Sequence, residues 1–233
     1  NPFDLVPYEV LYTNALLVDK KDGGLIRLDS DRKYKNNIFF AGNIDRTGKL
    51  TGHATIESTG YARNIRMSTH KKNKLKEAFE DNSGINIKVD SLLVNNEKDE
   101  MLPMEQKFIF SANMQSGGEY FFLPYDLFTG IGKNPFIEED RVMNIDFDFP
   151  KNYVVNGTYF LPDNYIANAL PKNTRMIMPD TSIALSRVMQ LDGNIVSFRF
   201  TLDVKVPGYE AESYPYIKEF FKKMYAILDE RIV

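Results

Sequence analysis

Residues 37–67 read NIFFAGNIDRTGKLTGHATIESTGYARNIRM. Within this stretch NIFFAGNID (37–45) and LTGHATIES (50–58) alternate apolar and polar residues, and RTGK between them holds Gly48. Alternation with period two puts successive side chains on opposite faces of a strand, and a short glycine-bearing link joins two such strands as a hairpin. On the second strand Leu50, Ala54 and Ile56 share one face, and Thr51, His53, Thr55 and Glu57 share the other. His53 therefore faces solvent. Gly60 then opens a helix that extends to about Asp81, with Ile65, Leu75, Ala78 and Phe79 on its apolar side. Its middle, STHKKNK (68–74), is too polar to hold the helix firmly.

The same alternation recurs along the chain. LYTNALLVDK (11–20) and GLIRLDS (24–30) flank KDGG as another hairpin. INIKVDSLLV (85–94), QKFIFSANMQ (106–115), EYFFLPYDLF (119–128), VMNIDFDF (142–149), YVVNGTYFLP (153–162) and TRMIMP (174–179) follow. IALSRVMQLD (183–192) and NIVSFRFTLDVKV (194–206) meet across an LDGN turn. GIGKNPFIEEDR (130–141) reads as a long loop. Near the end, Ile217, Phe220, Phe221, Met224, Ile227 and Leu228 recur at helical spacing, with Ser213 placed as N-cap and Pro215 in the first turn. Strands without alternating helices predict a mainly β fold, an antiparallel β-sandwich carrying one basic helix after the second hairpin and a C-terminal amphipathic helix.

Composition narrows the chemistry. Lys and Arg number 29 against 32 Asp and Glu, a formal net charge of −3, so no global field attracts nucleic acid. There is no cysteine, which removes a thiol nucleophile, disulfides and Cys-ligated zinc from these residues. No apolar run approaches the roughly 20 residues of a membrane-spanning helix. The opening NPFDLVPYEV shows neither an initiator Met nor a signal peptide and reads as a chain continuing from something longer.

Catalytic signatures are sparse: G-x-S-x-G, H-E-x-x-H and the G-x-x-x-x-G-K-[ST] phosphate loop do not occur. His53 and His70 are too few for a His-rich metal site, and no cofactor is expected. Asp146 and Asp148, two apart in NIDFDF, share one strand face opposite Ile145, Phe147 and Phe149. The plain reading is the polar face of a strand; a Ca2+ site would need further oxygen ligands from elsewhere. Asp29 and Asp31 in LDSDRK lack the glycine and terminal Glu of a calcium loop. Arg63, Arg66, Lys71, Lys72, Lys74 and Lys76 form the largest local concentration of charge. A solvated helix face explains it most simply; an anionic glycan, a lipid headgroup or a partner protein are the other readings.

Four places carry a family resemblance: Gly48, Leu50 and Gly52 with Gly60, Ala62 and Arg66; Asn134, Pro135 and Phe136 with Arg141; Leu161, Pro162 and Tyr165 with Leu170 and Pro171; and Tyr214, Pro215, Lys218 and Phe220. In this order they make residues 36–233 resemble the C-terminal β domain of unknown function of exported transglutaminase-like proteins of Bacteroidetes, labelled as putative peptidases. The resemblance implies that residues 1–35 are the junction with, or tail of, an upstream transglutaminase-like domain. It also implies a periplasmic or cell-envelope location. The family's Cys-His-Asp set would lie upstream, so no catalytic residue transfers to this chain.

The expectation is a non-catalytic accessory domain that supports interdomain packing or binds an extended peptide. The alternative is a glycan-binding or glycan-processing module using strand carboxylates and tyrosines. An open cleft lined by Asp146, Asp148 or Glu57 with exposed aromatics would favour the alternative. An adhesin-like interaction domain would instead expose a contiguous apolar patch. Arg63, Arg66, Asp146 and Asp148 are the candidate binding or anchoring residues.

Overall fold

The computed structural model describes residues 5–81 and 85–233. The chain is mainly β, built on one large mixed sheet with smaller two-stranded sheets around it. A first hairpin, β1 (Asn14–Leu17) with β2 (Gly24–Arg27), forms a ribbon of its own. The next, β3 (Tyr34–Ile44) with β4 (Lys49–Gly60), enters the large sheet. Helices α1 (Tyr61–Lys71) and α2 (Leu75–Glu80) follow, then β5 (Ile87–Asn95) and β6 (Met104–Asn113). A small ribbon, β7 (Gln115–Gly117) with β8 (Tyr120–Phe122), precedes the long loop and β9 (Ile145–Asp146). The second half of the large sheet is β10 (Lys151–Phe160), β11 (Thr174–Ile177), β12 (Ile183–Asp192) and β13 (Ile195–Val204). β14 (Gly208–Tyr209) pairs with β9, and α3 (Tyr214–Asp229) closes the chain.

Among the described residues the large sheet has eight strands, in the order β11-β12-β13-β10-β3-β4-β6-β5. Its neighbours are antiparallel except at the centre, where β3 and β10 run parallel from Tyr34↔Lys151 to Asn43↔Phe160. Parallel neighbours cannot be joined by a tight turn and need a long crossover. Here the crossover is everything from β4 to β9, so the first and second halves of the chain are spliced into one sheet along that seam. One face is buried along the central strands. Its centre is an aromatic cluster in which Phe40 lies 5.5 Å from both Tyr159 and Phe198, 6.1 Å from Phe128 and 6.4 Å from Phe110. The layer over this face is made of α2, the 123–128 segment and α3. From α3, Ile217, Phe220, Phe221, Met224 and Leu228 are buried. At roughly 1.5–3 kcal/mol for each large side chain, these five contribute on the order of 7–15 kcal/mol before conformational entropy is subtracted.

The opposite face points to solvent. Across it Ile109, His53, Ala41, Thr158 and Ser197 stand side by side on five neighbouring strands. The edges are blunted. At β5 a bulge interrupts the register between Val89 and Ser91, and the Val89 N–H donates to Glu80 Oε1 at 2.8 Å. β11 at the other edge is only four residues long. Short, bulged and side-chain-capped edges resist pairing with another chain.

Three expected segments differ. The single helix to Asp81 is two helices, broken where Asn73 adopts a left-handed backbone (φ 56°) inside the polar STHKKNK stretch. The expected strand 119–128 is a strand only over Tyr120–Phe122; beyond it the chain bends, Phe128 takes φ 65°, and Leu123, Tyr125, Leu127 and Phe128 plug the core. The expected strand 142–149 shrinks to Ile145–Asp146 because Asp148 turns left-handed (φ 64°). Ser213 takes the N-cap position of α3 without making a side-chain cap bond. Residues 1–4 of the expected junction lie outside the described residues.

Candidate functional site

A polar cleft of about 730 Å3 opens where the N-terminal segment meets the β9–β14 ribbon. One wall is local in sequence. The β1–β2 hairpin is closed at its base by Tyr12 N–H to Leu28 O (2.7 Å) and Leu28 N–H to Thr13 O (2.8 Å). Tyr12 holds a left-handed backbone (φ 61°), and the Arg27 guanidinium sits 5.8 Å from its ring centre. Asp29, Ser30, Asp31 and Lys33 continue this wall. Beneath it Tyr61 stacks on Phe149 at 4.7 Å and Tyr34 stacks on the same ring at 5.6 Å, alongside Leu5 and Leu11.

The other wall comes from the C-terminal half. Asp146 pairs with Gly208 and Ile145 with Tyr209 across the two-residue ribbon. Phe147 N–H to Pro207 O (2.6 Å) and Ala211 N–H to Asn144 Oδ1 (3.1 Å) extend the tie. The Tyr209 hydroxyl donates to Ser182 Oγ at 2.7 Å, which fixes its ring. Lys205 and Glu210 complete the polar lining. Burial, reinforced by Asp29, pushes the Tyr12 hydroxyl up to about 12. Asp146 adds to the same effect, so carboxylates from both walls act on Tyr12.

The four residues singled out by sequence end in different places. Arg63 is 5% exposed; its Nη2 donates to the carbonyls of Asn96 (2.9 Å), Glu97 (3.1 Å) and Asp99 (3.1 Å). It thus fastens the β5–β6 loop to α1. Arg66 is also buried, and its guanidinium lies 4.7 Å from the Phe79 ring, which in turn stacks on Phe108 of β6 at 4.6 Å. Helix and sheet are linked there through stacked rings. The solvated-face reading of the basic run holds for Lys71, Lys72, Lys74 and Lys76, which are exposed, and fails for the two arginines.

Asp146 and Asp148 do not share a strand face. Asp148 N–H donates to Asp146 Oδ1 at 2.7 Å in a tight turn, and only Asp146 lines the cleft. His53 faces solvent as expected, beside a shallow hollow of about 410 Å3 with Phe39, Asn156 and Thr158. Tyr12, Arg27, Asp29, Lys205 and Tyr209 also line the cleft, and sequence reasoning misses them as a site. No local motif marks them, because the two walls are far apart in sequence and meet only through the seam of the sheet. Among the described residues no group of three or more His, Asp or Glu is placed to hold a metal ion.

The cleft and the sheet seam bear on the comparison with known families. Residues 119–233 match the family model DUF3858. The family is described as a domain of unknown function with a solved structure. The matched segment contains three of the four motif places noted above, those at 134–141, 161–171 and 214–220. It supplies β10 to β13, half of the eight-stranded sheet, together with one wall of the cleft. No curated protein and no solved structure matches the chain.

Proposed function

We propose that this chain is a non-catalytic accessory domain of a cell-envelope transglutaminase-like protein, docked to the upstream domain of the same polypeptide through the β1–β2 ribbon. The observation that supports this reading is the ribbon itself. Leu16, Val18 and Leu25 are 69%, 86% and 74% exposed, and Leu17 and Ile26 are exposed as well. The register puts Leu16 beside Leu25 on one face and Ala15 beside Ile26 on the other, so apolar side chains point outward from both faces. A lone two-stranded hairpin is marginal in water, and a ribbon apolar on both sides is suited to burial between partners. At roughly 1.5–3 kcal/mol per buried large side chain, covering these five supplies ample driving force for an interdomain contact.

The test compares the longer polypeptide carrying the upstream domain with a Leu16→Ser, Leu25→Ser variant. Docking protects the ribbon amides from hydrogen exchange, and the variant loses that protection while the eight-stranded sheet keeps its own. Equal exchange in the ribbon with and without the upstream domain would overturn the docking role. Turnover of a peptide or glycan by this chain, abolished by a substitution within it, would overturn the non-catalytic role.

A further inference from the structure

The cleft between the N-terminal wall and the β9–β14 ribbon carries chemistry that the docking role does not use. Its lining holds four carboxylates, Asp29, Asp31, Asp146 and Glu210, against three cations, Arg27, Lys33 and Lys205. Charge nearly cancels, so an ion of either sign meets about as many repelling groups as attracting ones. A hydroxyl group both donates and accepts, and can use both kinds of group. Tyr12 and Tyr209 add aromatic surface on opposite walls. We propose that this cleft binds a neutral oligosaccharide.

Size and rigidity support the assignment. The volume of about 730 Å3 lies in the range of small-molecule sites, roughly 300–1,000 Å3. Both tyrosines are held before any ligand arrives, Tyr209 by its bond to Ser182 and Tyr12 by its backbone tie to Leu28 and its contact with Arg27. Preorganised walls reduce the ordering cost of binding. An extended peptide is less well served. Peptide capture by strand addition needs a free run of main-chain groups, whereas β9 and β14 are two residues long and paired to each other. The inference stands apart from the docking role of the ribbon, since either can fail alone.

The experiment titrates the 233-residue chain with maltotriose, cellotriose, mannotriose and chitotriose, and with an alanine-rich peptide, by calorimetry and ligand-observed NMR. One or more of the trisaccharides binds. Asp146→Asn and Asp29→Asn each weaken that binding by about tenfold. Both substitutions keep the oxygen that accepts from Asp148 N–H and Ser30 N–H respectively, so the fold is preserved. Glu57→Gln, on the open face of the sheet, leaves the affinity unchanged. The proposal is overturned if no trisaccharide binds at about 10 mM, if both cleft variants bind as the parent does, or if the peptide binds in preference to every sugar.

Discussion

Replacing Arg187 by methionine tests how the C-terminal helix is held to the sheet. Arg187 rises from the buried face of β12, is 1% exposed, and reaches four partners. Its Nε and Nη2 donate to Lys172 O (3.2 and 2.8 Å), Nη1 to the Tyr125 hydroxyl (2.8 Å) and Ile227 O (3.1 Å), and Nη2 also to Glu230 Oε2 (2.6 Å). The guanidinium thus ties together β12, the 172 loop, the 123–128 plug and the end of α3. Methionine keeps most of the volume but removes every donor. Breaking a buried ion pair from one side costs about 3–5 kcal/mol. The lower end applies here, because the Glu230 side chain is 48% exposed and can return to water, and Ile227 O keeps its bond from the Tyr125 hydroxyl. About 3 kcal/mol corresponds to a fall in Tm of roughly 6–12 °C for a chain of this size. Urea denaturation followed by far-UV circular dichroism measures it. A loss below about 0.5 kcal/mol for Arg187→Met, within the range of an ordinary surface substitution, would refute the reasoning.

Three further outcomes follow from single residues. Gly60 has φ 57° and ψ −131°, and a Cβ there would lie 2.1 Å from Lys33 O, so Gly60→Ala destabilises by about 2–3 kcal/mol in the same denaturation assay. Gly118 is also left-handed but faces open space, and Gly118→Ala costs only about 1 kcal/mol. Burial raises Tyr12 and Tyr125 from 10.0 to about 12, so both keep their protons in the folded chain after the unfolded chain has lost them. Their stabilisation is complete below pH about 10 and is lost as the pH rises to about 12, which a Tm-versus-pH series should show as a fall that Tyr12→Phe makes shallower. Burial also raises the Asp126 carboxyl, with Arg231 opposing. The stability linked to it is present below the unfolded value near 3.8 and declines as the pH passes the raised folded value. Asp126→Asn is therefore as stable as the parent or more so at neutral pH, an advantage that disappears in acid; a clear loss at neutral pH would contradict this.

Hairpins were the most legible part of the chain. β1–β2, β3–β4 and β12–β13 each combine alternating strands with a nearby turn, and the turn glycines Gly48 and Gly193 do adopt positive φ (80° and 58°). α3 was equally clear, because its apolar stripe repeats over the whole of Tyr214–Asp229. The 119–128 and 142–149 segments read as strands from the same alternation, yet pairing partners and the left-handed residues Phe128 and Asp148 ended them early. Alternation reports which side chains face together and says nothing about whether a neighbouring strand is present to pair with.

The candidate site was legible only in fragments. Asp146 was picked out, but on a strand face shared with Asp148, and the left-handed turn at Asp148 separates them. Arg63 and Arg66 stood out as charge, whereas the fold uses them inside, one on loop carbonyls and one on a phenylalanine ring. By itself the sequence determined the local elements, the outward face of His53 and the glycine entry to α1 at Gly60, since each depends on side-chain period or backbone sterics within a few residues. Tertiary structure alone decided the parallel β3–β10 seam, the burial of the two arginines and the meeting of Tyr12, Asp29, Asp146 and Tyr209 around one cleft. Those depend on contacts between residues far apart in the chain, and no local pattern encodes which distant strand will supply the hydrogen bonds and the apolar cover.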